Sequence, residues 1–416
     1  MLFLLVTMVA QPVLGYMADH LLLLPSFTVG WAAVKIALLA VGLLFGVTSL
    51  LAKLGRRLSL AGSLLLVWVL LVQAIQAPGL LATFPEETQI VLGNTLLTSA
   101  GLWLIGSNLE PLFNLLVRSR AWKSILWLLY GGFAFAIVWG TAVGFAQSGH
   151  FIGLYRDPRV RLEYLQISDA FALLTFFVAA VAERKAMRVV VLLLGGVLLF
   201  ATLSRASFLF YWLVVGLRAL LAPGRRRPLQ AALLLAAAVT AVVVVLTVNV
   251  PPDAWGPYRM VEFLRTPLAD ESVHARLGLL AEGLPRFSGH WLLGSFMAEV
   301  TQGAGMGTYI HNWLSFWEAY GLGPFLLSSA LIAAIVYGAL RVFGRHEVSK
   351  VQLCAAYIGM FCFFQVAMAR SYVWPYIWLA IGASSTLWRR RVWPQRGQSG
   401  GSTPDSQAGP STEVVV

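Results

Sequence analysis

Charge is what this chain has least of. Asp, Glu, Lys and Arg make up only 12% of its 416 residues, against 59% hydrophobic, and the mean hydropathy is +0.77. No soluble domain of that length is so apolar, so the composition predicts a polytopic, all-α membrane protein. Acids are scarcer than bases, 18 against 30, for a net charge of +12. A basic balance in a membrane chain reflects topology rather than nucleic-acid binding, and no nucleic-acid partner is expected. Cysteine is nearly missing as well. Cys354 and Cys362 share one apolar run, roughly 12 Å apart along a helix, too far for a disulfide. The opening MLFLLVTMVA lacks a basic stretch, so it reads as a retained first span and not a cleaved signal peptide.

Familiar catalytic motifs are missing too. The sequence has no DxD or other carboxylate cluster on the expected outer side, no HExxH, no nucleotide-binding glycine loop and, among the expected spans and outer loops, no GxSxG elbow. Neither a metal nor another cofactor is expected. Any outer-face reaction must therefore draw its energy from an activated substrate.

What is present is a series of long apolar runs. They fall at about 2–24, 28–52, 58–76, 89–108, 123–146, 165–182, 187–203, 205–222, 229–249, 320–341, 351–368 and 371–388, each read as a spanning helix. That predicts about twelve transmembrane helices in a single domain over 1–390. One large outer loop is expected at about 250–319, and a disordered cytoplasmic tail at 391–416. The runs on either side of Ser204 have almost no polar turn between them.

With the N-terminus inside, the cytoplasmic connections carry Lys53, Arg56 and Arg57; Arg118, Arg120 and Lys123; Arg184, Lys185 and Arg188; Arg218 and Arg225–Arg227; Arg341, Arg345 and Lys350; and Arg389–Arg391 with Arg396. Every inner connection thus holds at least three cations, as the positive-inside rule requires. Both termini are then cytoplasmic.

The cations left over are more informative. Lys35 lies inside a span, while Arg156, Arg159, Arg161, Arg205, Arg259, Arg265, Arg276, Arg286 and Arg370 fall on the outer side. Forked recognition of phosphate explains arginine placed against the topological bias. The plainer reading is that several pair with outer acids such as Asp157, Glu163, Asp270 and Glu271. Arg205 stands between two apolar runs, where an arginine either serves function or snorkels to the interface. The same two readings, snorkelling or substrate contact, stand for Lys35.

The stretch TYIHNWLSFWEAYGLGP, 308–324, offers the best candidate for a base. His311 and Asn312 follow a glycine-rich run and precede Trp313, Phe316, Trp317 and Tyr320 at helical spacing. Asn312 or Thr308 is placed to cap that helix. The helix N-terminus disfavours imidazolium and leaves His311 able to accept a proton; the plainer role is an interfacial hydrogen bond. Within the outer loop, apolar residues at 273, 277, 280 and 284 mark a helix lying on the surface, with Arg276 beside the stripe.

These residues resemble the bacterial O-antigen ligases and the related O-antigen polymerases. The resemblance rests on Ser204-Arg205-Ala206, on Arg276 in the large loop, and on HNWLSFWEAYGLGP at 311–324. It covers about 150–390, and the order of spans and loop is similar. LLGSFMAEV at 292–300 departs from the tighter Gly-x-Gly of many members. The resemblance implies a membrane-embedded glycosyltransferase of the bacterial inner membrane, working on the periplasmic face. It would move a glycan from undecaprenyl pyrophosphate to a sugar hydroxyl of lipid A-core, or, in a polymerase, to another lipid-linked glycan. It further implies His311 as base and Arg205 and Arg276 on the pyrophosphate. Arg159 and Arg161 would assist, with Arg156, Asn312 and Lys35 supporting. A lipid-linked sugar transporter is the reading from another class, but it predicts repeat symmetry and charge near the midplane of several spans.

Overall fold

The computed structural model describes residues 57–92, 98–148, 154, 164–224, 271–301 and 310–388. The expected spans at about 2–24, 28–52 and 229–249 lie outside the described residues, as do Lys35, Arg156, Arg159, Arg161, Thr308, most of the first part of the outer loop and the C-terminal tail. All regular structure among the described residues is helical, with no strand.

In chain order the helices are α1 (Arg57–Thr83), α2 (Pro85–Leu92), α3 (Ala100–Ser107), α4 (Leu109–Arg118), α5 (Arg120–Ser148), α6 (Tyr164–Val181), α7 (Lys185–Ala201), α8 (Arg205–Leu221), α9 (Glu271–Gly283), α10 (Phe287–His290), α11 (Ala298–Thr301), α12 (Ser315–Tyr320), α13 (Leu322–Phe343), α14 (Lys350–Met368) and α15 (Tyr376–Leu387). Four of them, α1, α5, α13 and α14, are long and apolar enough to cross a membrane. A helix satisfies most of its backbone polar groups internally, which is what a lipid surrounding demands.

Burial separates centre from rim. In α14, 72% of the most apolar stretch is buried, against 33% in α1 and α5. Ile75 on α1 and Leu128 on α5 are 76% and 75% exposed, the outward apolar face of a lipid-contacting helix. α6 and α15 join α14 in the middle, with Ala170–Ala182 buried throughout. Phe176 stacks on Tyr211 and Tyr357 at ring separations of 5.0 Å, tying α6 to α8 and α14. α3 meets α15 closely at Gly106 and Gly382, where a Cβ on either would run into the other's backbone. Small residues at a crossing let two backbones pack tightly.

The junction at Ser204 shows how two apolar runs become two helices without a polar loop. Leu203 takes a left-handed φ of 60° and is buried. Buried hydroxyls then do the work of a polar turn: Ser168 donates to Thr202 Oγ1 at 2.7 Å, and Thr202 donates to the Leu199 carbonyl at 2.7 Å.

Two expected spans end or begin in ways the run lengths do not give. Of the run at about 89–108, residues 93–97 lie outside the described residues; α2 covers its start to Leu92, a π turn covers Thr98–Ser99, and α3 ends at Ser107. There Asn108 folds its side chain back onto the Leu104 carbonyl at 2.9 Å, and the amphipathic α4 follows with Leu109, Phe113 and Leu116 inward. At the far end, 371–388 is helical only from Tyr376. Pro375 precedes it, and the residues before are drawn into a buried turn described below.

Antiparallel neighbours place one set of cations at a common end. Lys123 donates to Glu183 at 2.7 Å, Lys350 to the Val181 carbonyl at 3.2 Å, Arg188 to the Ala179 carbonyl at 3.1 Å, and Arg218 to the Phe343 carbonyl. These carbonyls lie in the last turns of α6 and α13, where positive side chains are favoured. The Lys123 ammonium holds the exposed Glu183 carboxyl below its ordinary value.

Candidate functional site

The opposite end of the bundle buries a dense set of polar groups around Asp169. This residue sits in the second turn of α6 and is wholly inaccessible. A desolvated carboxylate is costly unless every lone pair finds a partner. Here it accepts from Ser207 Oγ at 2.6 Å, Gln365 Nε2 at 2.7 Å and Trp374 Nε1 at 2.9 Å. Arg370 completes the shell, with Nε 2.9 Å from Oδ2 and Nη2 3.2 Å from Oδ1. Four segments, α6, α8, the end of α14 and the turn before α15, are thereby pinned together. The ion-pair reading therefore holds for Arg370, with Asp169 as its acid.

Arg205 opens α8 directly beside this hub and is half-buried. Ser204 and Ser207 share a hydrogen bond of 2.7 Å, and Arg370 Nη2 reaches Ser207 Oγ at 3.5 Å. Arg276 reaches the same end of the bundle. It lies on α9, half-buried, with Nη1 3.5 Å from the carbonyl of Met368, the last residue of α14. Met368 is two residues from Arg370, whose Nη2 reaches the Ser207 hydroxyl on α8.

His311 belongs to the segment that leads into α12. Its neighbour Ile310 is fully buried in the space left by the absent side chain of Gly283. Gly283 is two turns along α9 from Arg276, roughly 10 Å. The expected cap at Asn312 is not what forms: α12 is capped at Leu314 with no side-chain hydrogen bond, and Asn312 instead closes the turn just before it. Its Oδ1 accepts from Leu314 N at 2.9 Å, and its carbonyl accepts from Ser315 N at 3.1 Å and Ser315 Oγ at 2.7 Å. Ser315 Oγ in turn accepts from Tyr372 N at 2.8 Å, which joins the His311 segment to the Arg370 turn.

The aromatic stripe behind His311 is packing. Phe316 and Tyr320 are buried, Trp313 lies 4.9 Å from Phe316, and Trp317 stacks on Phe325 at 5.2 Å. α12 is only one and a half turns long, because Gly321, at φ +84°, breaks the chain before α13. Tyr320 receives a hydrogen bond from Gln73 at 3.0 Å, and Tyr372 donates to the buried Glu299 at 3.2 Å. Glu318 is buried in the same region.

The structure thus places His311, Asn312, Arg205 and Arg276 at one end, connected through the turn from Met368 to Tyr372. Chemically, that end offers two half-buried guanidinium forks and one imidazole beside apolar helices, a setting suited to an anionic headgroup. Among the described residues no three His, Cys, Asp or Glu side chains gather as metal ligands would. Asp169, Gln365, Tyr372 and Glu299 were not singled out from sequence. Asp169 had a signal, since an acid inside an apolar run marks a functional or pairing position. Compared with known proteins, the chain matches no family model, no curated protein and no solved structure.

Proposed function

We propose that this chain is a membrane-embedded O-antigen ligase. It would transfer a glycan from undecaprenyl pyrophosphate to a sugar hydroxyl of lipid A-core at the periplasmic face of the inner membrane. What supports this reading is that Ser315 after His311, Ser207 after Arg205, and Arg276 each bond to a residue between Met368 and Tyr372, opposite the end that gathers Lys123, Arg188, Arg218 and Lys350. With that basic end cytoplasmic, as the positive-inside rule has it, the candidate site is periplasmic and both termini of a twelve-span domain are cytoplasmic.

The chemistry is one displacement. His311 takes the proton of the acceptor hydroxyl, the hydroxyl oxygen bonds to the anomeric carbon, and the bond from that carbon to the pyrophosphate oxygen breaks. Its electron pair leaves on pyrophosphate, whose growing charge Arg205 and Arg276 balance, with Arg159 and Arg161 in support. The guanidinium groups take the place of a metal, the configuration inverts, and no covalent enzyme intermediate forms. The buried acid here, Asp169, is consumed by Arg370 at one end of its helix, a poor fit to the midplane charges of a transporter.

The test is reconstitution of the purified protein with a defined lipid-linked donor and two competing acceptors, lipid A-core and a second donor. Release of undecaprenyl pyrophosphate with glycan on lipid A-core is expected. Glycan on the second donor would make the protein a polymerase, and no release at all would favour a transporter. His311→Ala should abolish transfer at normal expression; attachment at the normal rate would remove His311 from the mechanism. Arg276→Lys should lose most activity, because an ammonium cannot reproduce the fork.

A further inference from the structure

An apolar ridge protrudes beside the candidate site. Leu284, Trp291, Leu292 and Leu293 are 47%, 51%, 55% and 67% exposed, and Leu277 on α9 is 58% exposed behind them. Large apolar side chains this open to the outside, grouped along one short segment, mark a surface made for something other than water.

The ridge is held rigidly and at a definite height. Gly294 N donates to the His290 carbonyl at 2.7 Å, and Trp317 Nε1 donates to the Trp291 carbonyl at 2.7 Å. Leu322 N is shared between the carbonyls of Trp291 and Leu292, at 3.1 and 3.3 Å. Gly294 and Gly321 both sit at positive φ with each other's strands of backbone in close approach. Leu322 is the first residue of α13, a candidate span of 22 residues. At about 33 Å such a helix just exceeds a hydrocarbon core of about 30 Å, so its first residue lies at the hydrocarbon boundary. The ridge hangs from that residue at the same depth. One turn further along, Leu326 is 56% exposed, continuing the apolar surface onto the flank that α13 shows to lipid.

We propose that Trp291–Leu293, with Leu277 and Leu284, is a monotopic wedge that enters the headgroup–acyl boundary of the bilayer and anchors α9 at the membrane surface. Burial of about 5–10 Å is usual for such elements. The tryptophan suits that layer, its ring taking the apolar zone and its N–H the wet one. The wedge sets the height at which Arg276 is presented, since α9 carries both Leu277 and Arg276.

The experiment uses the full chain in phosphatidylcholine liposomes containing a lipid with a nitroxide near the top of its acyl chain. Cys354 and Cys362 are fully buried, so a thiol-reactive fluorophore reports an introduced site. Leu292→Cys carries the label, with Leu293→Cys as a second variant and Glu282→Cys, exposed on α9, as the polar comparison. Lipid nitroxide is expected to quench the labels on Leu292→Cys and Leu293→Cys several-fold more than aqueous iodide does, and the order should reverse at Glu282→Cys. Iodide quenching equal to that of the comparison would overturn the wedge. Shielding from both quenchers would also overturn it, by showing a second copy of the chain over the ridge. No activity is read, so failure of the transfer assay and failure of the wedge are distinguishable.

Discussion

At the scale of single residues, Asp169 and Arg370 dominate. Neither can be neutralised alone without stranding the other's charge inside the bundle, which typically costs about 3–5 kcal/mol. Asp169→Asn and Arg370→Gln are each expected to lower the melting temperature in detergent by a comparable, large amount. The double variant should lose clearly less than the sum, because the two act as one unit. Strictly additive losses would show that the pair is not coupled. Arg370 was visible from sequence as an arginine on the unexpected side. Its partner was not, since 201 positions separate the two, and nothing local to either announces the other. The short helix after His311 was legible for the opposite reason: the glycine-rich run and the aromatic spacing that mark it lie within ten residues.

At the scale of elements, what matters is where helices stop. The two runs around Ser204 do become separate helices, 185–201 and 205–221, through a left-handed Leu203 that no turn rule would have chosen, since such a residue normally pays about 1–2 kcal/mol. Gly321 is the cleaner case, because its φ of +84° and the nearby Leu292 carbonyl both forbid a side chain. Gly321→Ala is expected to cost at least about 1–2 kcal/mol from the backbone alone, with the clash added. Gly344→Ala, at φ −82° with its nearest neighbour 3.6 Å away, should be close to neutral. Equal melting temperatures for the two variants would refute the close-approach argument.

At the scale of the whole molecule, the bundle is polarised. Lysines and arginines that bind helix C-terminal carbonyls mark one end, and the Asp169 hub with Arg205, Arg276 and His311 marks the other. If the bundle crosses a membrane, a membrane-impermeant thiol reagent should label Glu183→Cys from one side only and Glu282→Cys from the other. Labelling of both from one side would show that these ends do not face opposite compartments. The polarity was foreseeable, because a cation near the end of an apolar run is a local feature. Which arginine of the second end pairs with a buried acid was not.

The sequence by itself determined the all-helical class, the positions of most of the long described helices and the common end of Lys123, Arg188, Arg218 and Lys350. Apolar run length, charge at run ends and capping residues act over a few neighbouring positions, and these can be read along the chain. Only the tertiary structure decided that Asp169 holds Arg370, that α15 starts at Tyr376 after a buried turn, that α3 is short and pressed against α15, and that Ser315 ties the His311 segment to Tyr372. Each depends on groups tens to hundreds of positions apart competing for the same buried space, and desolvation there rewards whichever partner arrives with the right geometry.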